Sequence, residues 1–180
     1  LKNNSMKLAL CGMLTALATA GMFLTNLIPI ASYTLPAIGG ALTVIAVLEI
    51  GKSWAWSVYI AASLLSVLVV VDKEAVAIFV LFFGYYPIIK ANLEQMKKKY
   101  LGWLAKLAVF NLSMILEFWL ALHLLGVPAE SFTLFGLYLP WVFLLVGNVV
   151  FFLYDYCISC GILIYWKRLH PFIRKWLRLK

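Results

Sequence analysis

The groups in this sequence that could do chemistry are few, and several of them interrupt long apolar runs. Glu117, Asn111, Asn148 and Asp155 fall inside two such runs, where burying a polar or ionisable side chain is expensive and marks either function or helix packing. Glu117 is expected about eight residues from the end of its run, roughly 12 Å deep at 1.5 Å per helical residue. Asn148 is expected at a similar depth on the next run, close enough to hydrogen-bond Glu117 if the two helices are antiparallel neighbours. Asp155, one heptad after Asn148 on the same face, is expected deeper and about level with Asn111. The four groups read as a polar seam that either fixes helix packing or lines a substrate cavity.

A second cluster is Asp72-Lys73-Glu74, three consecutive charges in a short turn. They could meet a polar ligand. They could equally cap the next helix, Asp72 accepting from its N-terminal amides and Glu74 favouring its dipole. Gly12, Ala16 and Ala20 recur every four residues, a stripe that lets another helix approach closely; that helix belongs either to this chain or to another subunit. Cys157-Ile158-Ser159-Cys160 matches a redox dithiol only in pattern, because it lies within an apolar helix rather than at a helix N-terminus. Three cysteines with no nearby histidine argue against zinc, and neither a resident cofactor nor a metal is expected. His123 and His170 stand alone, and no Ser–His–Asp set or phosphate-cradling glycine loop is visible. Asp155, Tyr154 and Tyr156 are too few for a lipid-modifying centre, so the expectation is a protein that is not an enzyme.

The elements that must position these groups follow from composition. Of 180 residues, 65% are apolar and 12% charged, with a mean hydropathy of +0.99, far too apolar for a soluble domain of this size. A crossing needs about 20 apolar helical residues, and a bilayer leaves only helices or a closed barrel. Strict alternation is absent, so an all-α integral membrane protein is predicted. Six transmembrane helices are expected, at about 8–27, 35–50, 54–71, 74–89, 103–125 and 139–166, in one domain spanning residues 1–180. Gly84 and Pro87 predict a kink late in the fourth. The first run lacks a clear cleavage site, so no cleavable signal peptide is expected.

Charge orients the spans. The net charge is +8, from fifteen Lys and Arg against seven Asp and Glu. With an even number of spans and both termini cytoplasmic, fourteen of the fifteen basic residues fall inside and only Lys73 outside, as the positive-inside rule demands. The positive charge therefore serves topology and anionic headgroups, and no nucleic acid is expected. The last run is long for one perpendicular crossing and predicts a tilted helix. The segment 167–180, rich in basic and aromatic residues, predicts a short amphipathic tail lying on the cytoplasmic leaflet, although Pro171 interrupts it. The setting is the plasma membrane, crossed several times.

Six short spans with a small-residue first helix resemble the substrate-binding S components of energy-coupling factor (ECF) vitamin transporters. The opening MKLALCGMLTALATAGMFL, then a loop with Pro29 and Pro36 and PAIGGALTVIAVLEIG, is similar to how those chains begin. VDKEAVAIFVLFFGYYPIIK and GNVVFFLYDY resemble a family of small membrane proteins of Gram-positive bacteria. The resemblance implies an S-component-like bundle without ATPase motifs of its own. It implies that Gly12, Ala16 and Ala20 dock a transmembrane T component coupled to two cytoplasmic ATPases. It implies that a small-molecule ligand such as a vitamin is held near the outer face by the loop from Asn26 to Tyr33, by Asp72, Lys73 and Glu74, and by Glu117 and Asn148. The subunit would then topple in the membrane to release ligand inside. The competing expectation is a non-transporting membrane scaffold of envelope assembly, with a structural seam and a basic tail as its partner surface.

Overall fold

The computed structural model describes residues 4–124, 126, 133–134, 137–138 and 140–169. Its helices are α1 (Asn4–Phe23), α2 (Thr34–Glu49), α3 (Lys52–Val69), α4 (Lys73–Ile78), α5 (Tyr86–Leu93), α6 (Lys99–His123) and α7 (Pro140–Ile164). A π-helical segment, Phe79–Phe83, joins α4 to α5 in one bent pass. A two-residue antiparallel ladder, β1 (Thr133–Leu134) with β2 (Leu137–Tyr138), lies between α6 and α7. The architecture is otherwise helical. Among the described residues, five passes are long and apolar enough to cross a membrane, while α2 is apolar but only 16 residues long. That gives α2 roughly 24 Å at 1.5 Å per residue, less than a full hydrocarbon thickness. The expected ends at Leu125 and Leu139, the turn at 127–131 and the tail from 170 onward lie outside the described residues.

The bundle is built around α1, which packs on α2 and α3. Cys11, Leu14, Ala46, Ala55, Val58 and Ile88 form one core cluster, and Ala18, Met22, Ala62, Val70, Val76 and Phe79 form the next. A third, aromatic cluster joins Phe82, Tyr86, Phe110, Phe151 and Ile158 across the π segment, α5, α6 and α7. Small residues at the crossings let the helices approach. A Cβ at Gly40 would strike the Phe83 carbonyl and stand 2.9 Å from the Tyr154 hydroxyl, so glycine is what brings α2 against the π segment and α7. Large apolar side chains such as Leu68, Leu104, Leu145 and Leu153 remain exposed on the outside, the pattern of a surface made for an apolar solvent.

The expected kink is present, and it begins about two turns before Pro87. The Gly84 amide donates to the Phe79 carbonyl at 2.8 Å, five residues back. Widening the helix there exposes the Val80 carbonyl, which accepts from the Tyr59 hydroxyl at 2.7 Å. Pro87 then starts α5, where its missing amide costs nothing. The π turn is the kind of local irregularity that a side chain from a neighbour can satisfy.

Polar ties close the two ends of the bundle differently. At one end, the Lys52 ammonium donates to Asn92 (2.6 Å) and Gln95 (3.2 Å), and the Tyr165 hydroxyl donates to Glu49 (2.5 Å). At the other, the Asn26 carbonyl oxygen accepts from the Val71 and Asp72 amides at 2.9 and 3.3 Å. Asp72 caps α4 by accepting from the Ala75 amide at 3.1 Å, and it also accepts from the Ser32 hydroxyl at 2.6 Å. Lys73 turns back to cap α3, donating to the Val67 and Val70 carbonyls at 3.0 and 2.8 Å.

The capping role makes a prediction. Asp72→Ala removes the α4 cap and the Ser32 tie together, and it should destabilise the protein by roughly 0.5–2 kcal/mol. Thermal unfolding in detergent micelles reads this as a lowered midpoint, with Asp72→Asn retaining most of the stability. An unchanged midpoint in Asp72→Ala would assign the residue to something other than the cap.

Candidate functional site

The polar seam expected between the last two passes divides into three separate sites. Nearest one end is a buried ion cluster. Asp155 on α7 accepts from the Lys90 ammonium at 2.5 Å, from the Tyr86 hydroxyl at 2.5 Å, and from the Lys106 ammonium at 3.1 Å to each oxygen. Glu94 completes it, 2.8 Å from Lys90 and 2.9 Å from Lys106. Lys90 also donates to the Ser159 hydroxyl at 2.9 Å, and Lys106 lies 4.8 Å from the centre of the Trp103 ring. Lys90, Lys106 and Asp155 are 1%, 4% and 3% exposed, so the charges must satisfy one another. Burial pushes the Glu94 carboxyl upward, but the hydrogen bonds from Lys90 and Lys106 outweigh it and hold the group below the usual carboxylate range. Two ammonium groups against two carboxylates leave the cluster neutral.

The second site is an amide pair. Asn111 and Asn148 exchange reciprocal hydrogen bonds of 3.0 Å each, and each amide donates a second bond to a carbonyl one turn back, Leu107 and Leu144. This corrects the expected alignment: Asn148 pairs with Asn111 and not with Glu117, and Asp155 is level with Lys106 and not with Asn111. The cause is helix register. Relative to that expectation α6 is displaced along α7 by about six residues, since Asn111 and not Glu117 stands opposite Asn148. The signal was present in the sequence, since an aspartate inside an apolar helix demands a cation at its level. Lys90 and Lys106 were assigned to topology alone.

The third site is a cavity of about 360 Å³ lined by Tyr33, Met114, Glu117, Phe118, Trp141, Phe143, Leu144 and Gly147, among others. It opens between α6 and α7 toward the end opposite the ion cluster. Its size falls at the lower end of the range usual for small-molecule sites, and its apolar walls with few polar groups fit that class. Glu117 has no hydrogen-bond partner among the described residues. Tyr33, half-exposed at the rim, has its hydroxyl pushed up by burial and then by the negative charges of Glu117, Glu74 and Asp72. Those acids therefore share one electrostatic neighbourhood.

Of the residues singled out for a ligand, the structure brings Tyr33 and Glu117 into this cavity and Glu74 close to it. Asp72 and Lys73 spend their side chains on helix ends, and Asn148 is engaged with Asn111 next to Gly147 of the cavity wall. The stripe of Gly12, Ala16 and Ala20 is exposed, and a Cβ on Gly12 would meet nothing within 4 Å. It faces away from the chain's own helices. Cys157 and Cys160 are unbridged, and no group of three potential metal ligands occurs among the described residues.

A second groove, about 410 Å³, runs between α2 and α7 beside Ala41, Ile45, Tyr154 and Ile158. It holds no charged group and offers less to a polar ligand.

The ion cluster can be tested directly. Asp155→Asn leaves two buried ammonium groups sharing Glu94 and should cost roughly 3–5 kcal/mol, lowering the thermal midpoint in detergent and the yield of monodisperse protein. Replacing all three buried charges at once, Lys90→Met with Asp155→Leu and Lys106→Met, should recover most of that loss. A triple variant as unstable as Asp155→Asn would show that the cluster does more than balance charge. The chain matches no protein-family model, no curated protein and no solved structure.

Proposed function

We propose that this protein is a membrane-embedded substrate-binding subunit of an ECF-type importer, holding a small molecule in the cavity between α6 and α7. The observation that carries the reading is that cavity: a space of ligand size, walled by apolar and aromatic side chains, with the Glu117 carboxylate in its lining. A scaffold whose polar groups only fix packing has no use for an acid left outside its packing network. In this reading the six passes put both termini in the cytoplasm. The basic residues Lys7, Lys52, Lys90, Lys97, Lys98, Lys99, Lys106 and Lys167 cluster at the cytoplasmic end and Lys73 at the outer end. The cavity then opens outward, where an imported molecule arrives.

Energy comes from partners. Gly12, Ala16 and Ala20 form an outward-facing shallow track on α1, bordered by exposed Leu8, Met13 and Leu17. Small residues on a lipid-facing surface offer a groove in which another helix gains close van der Waals contact. In this reading the groove takes a transmembrane T component, itself coupled to cytoplasmic ATPases. The two sites lie on different helices, so ligand binding and partner docking need not compete.

Mass spectrometry of the detergent-purified protein, expressed in its own host membrane, tests both halves. A co-purifying metabolite is expected, and it should be lost in Glu117→Ala. A transmembrane partner is expected too, lost in Ala16→Leu, which fills the track without disturbing the core. An empty protein that carries envelope-assembly enzymes instead would replace the importer reading with a scaffold.

A further inference from the structure

We propose that the ligand of the α6–α7 cavity is an organic cation, a protonated amine or quaternary nitrogen carried on an apolar or aromatic body. This rests on the reading of that cavity as a ligand site and adds the chemical class that the site selects. The argument begins with Glu117. It lies about six residues from the end of α6, roughly 9 Å along the helix, within an apolar pass. A carboxylate at that depth needs a proton, a cation or a set of hydrogen-bond donors. The described surroundings supply no cation. Lys73, the nearest basic residue in the adjoining loops, has its ammonium tied to the Val67 and Val70 carbonyls at the end of α3. His123 lies on another face of α6, bonded to the Trp119 carbonyl and stacked on the Trp119 ring.

The rest of the cavity is complementary to positive charge. Glu117 and Glu74, with Asp72, all act electrostatically on the Tyr33 hydroxyl. Negative charge therefore gathers around Tyr33 at the mouth. The walls include the rings of Tyr33, Phe118, Trp141 and Phe143. Aromatic faces attract cations, tryptophan most strongly, and more so when water is excluded. An anionic ligand would meet repulsion from both glutamates and no described donor of positive charge. A neutral one would make no use of the charge that Glu117 can carry. A cation supplies what the carboxylate lacks and uses the rings at the same time. The cavity of about 360 Å³ has room for a one- or two-ring amine.

Three probes of one shape separate the possibilities: phenethylamine, 2-phenylethanol and phenylacetate, which are cationic, neutral and anionic near neutral pH. Binding to the full chain in lipid nanodiscs is measured by equilibrium dialysis against empty nanodiscs, which removes simple partitioning. Phenethylamine should bind about tenfold or more tightly than either analogue, a gap of about 1.4 kcal/mol or more, and Glu117→Gln should abolish the preference. Glu74→Gln, at the rim, should reduce it without abolishing it. Both variants must elute as the wild type does on size exclusion. If the alcohol or the acid binds best, or if the amine preference survives Glu117→Gln, the cation assignment is overturned while the cavity stands as a ligand site. If none of the three shows protein-dependent binding at millimolar concentration, the cavity is no small-molecule site, and the proposed function falls with it.

Discussion

Asp155, held between Lys90 and Lys106, fixes how the second half of the bundle sits. Three charges from α5, α6 and α7 meet with almost no exposure, and sliding one of those helices past the others would part them. Breaking a buried pair costs several kcal/mol, because the remaining charge is stranded in a medium that solvates it poorly. The Asn111–Asn148 pair, by contrast, belongs to a class of interhelical hydrogen bonds worth about 0.6 kcal/mol on average in membranes. The ion cluster therefore decides the register, and the amide pair is what that register brings face to face. Tyr86 adds a neutral donor to the same carboxylate, and its ring packs in the aromatic cluster with Phe82 and Phe151. Charge satisfaction and apolar packing act here through one residue.

Much of this was legible in the sequence. Apolar runs and their breaks placed the helices, Gly84 and Pro87 announced the irregular fourth pass, and Asp72 was readable as a cap. These are local features, governed by spacing along one element. Register between two helices is not local. It was read from expected span ends, and the true alignment of α6 on α7 differs from that one by about six residues. Asn148 was thus paired with Glu117, and Asp155 was placed level with Asn111. What would have corrected the alignment is a balance of charge rather than of length: Asp155 needs a cation, and Lys106, seven residues beyond Lys99, is already inside the helix. The lysines were read for topology, where their count matters, and their pairing went unread.

The same lysines show that the two roles are compatible. Lys90 and Lys106 are neutralised by Asp155 and Glu94, so they add little net charge at their end of the bundle. Lys52 and the run Lys97 to Lys99, together with Lys167, still leave that end basic. Orientation therefore does not rest on the residues that have been drawn into the core. A chain with few charges uses some to set its direction and others to lock its helices, and the two sets lie side by side.

The contrast between the two ends of α6 and α7 bears on how a ligand could enter and leave. At one end the helices are clamped by the ion cluster and by Tyr165 bound to Glu49. At the other the walls are apolar and aromatic, and Glu117 stands without a partner among the described residues. Dispersion contacts between such side chains are individually small and have no preferred direction, so the open end can adjust its width at low cost while the clamped end holds register. In the proposed reading, a cavity that first admits and then retains a molecule uses that difference in stiffness. In that reading, filling the cavity adds contacts between α6 and α7, so the bound state should be stiffer there than the empty one. Ligand and ion cluster would then hold the two helices from opposite ends, the cluster permanently and the ligand only while bound.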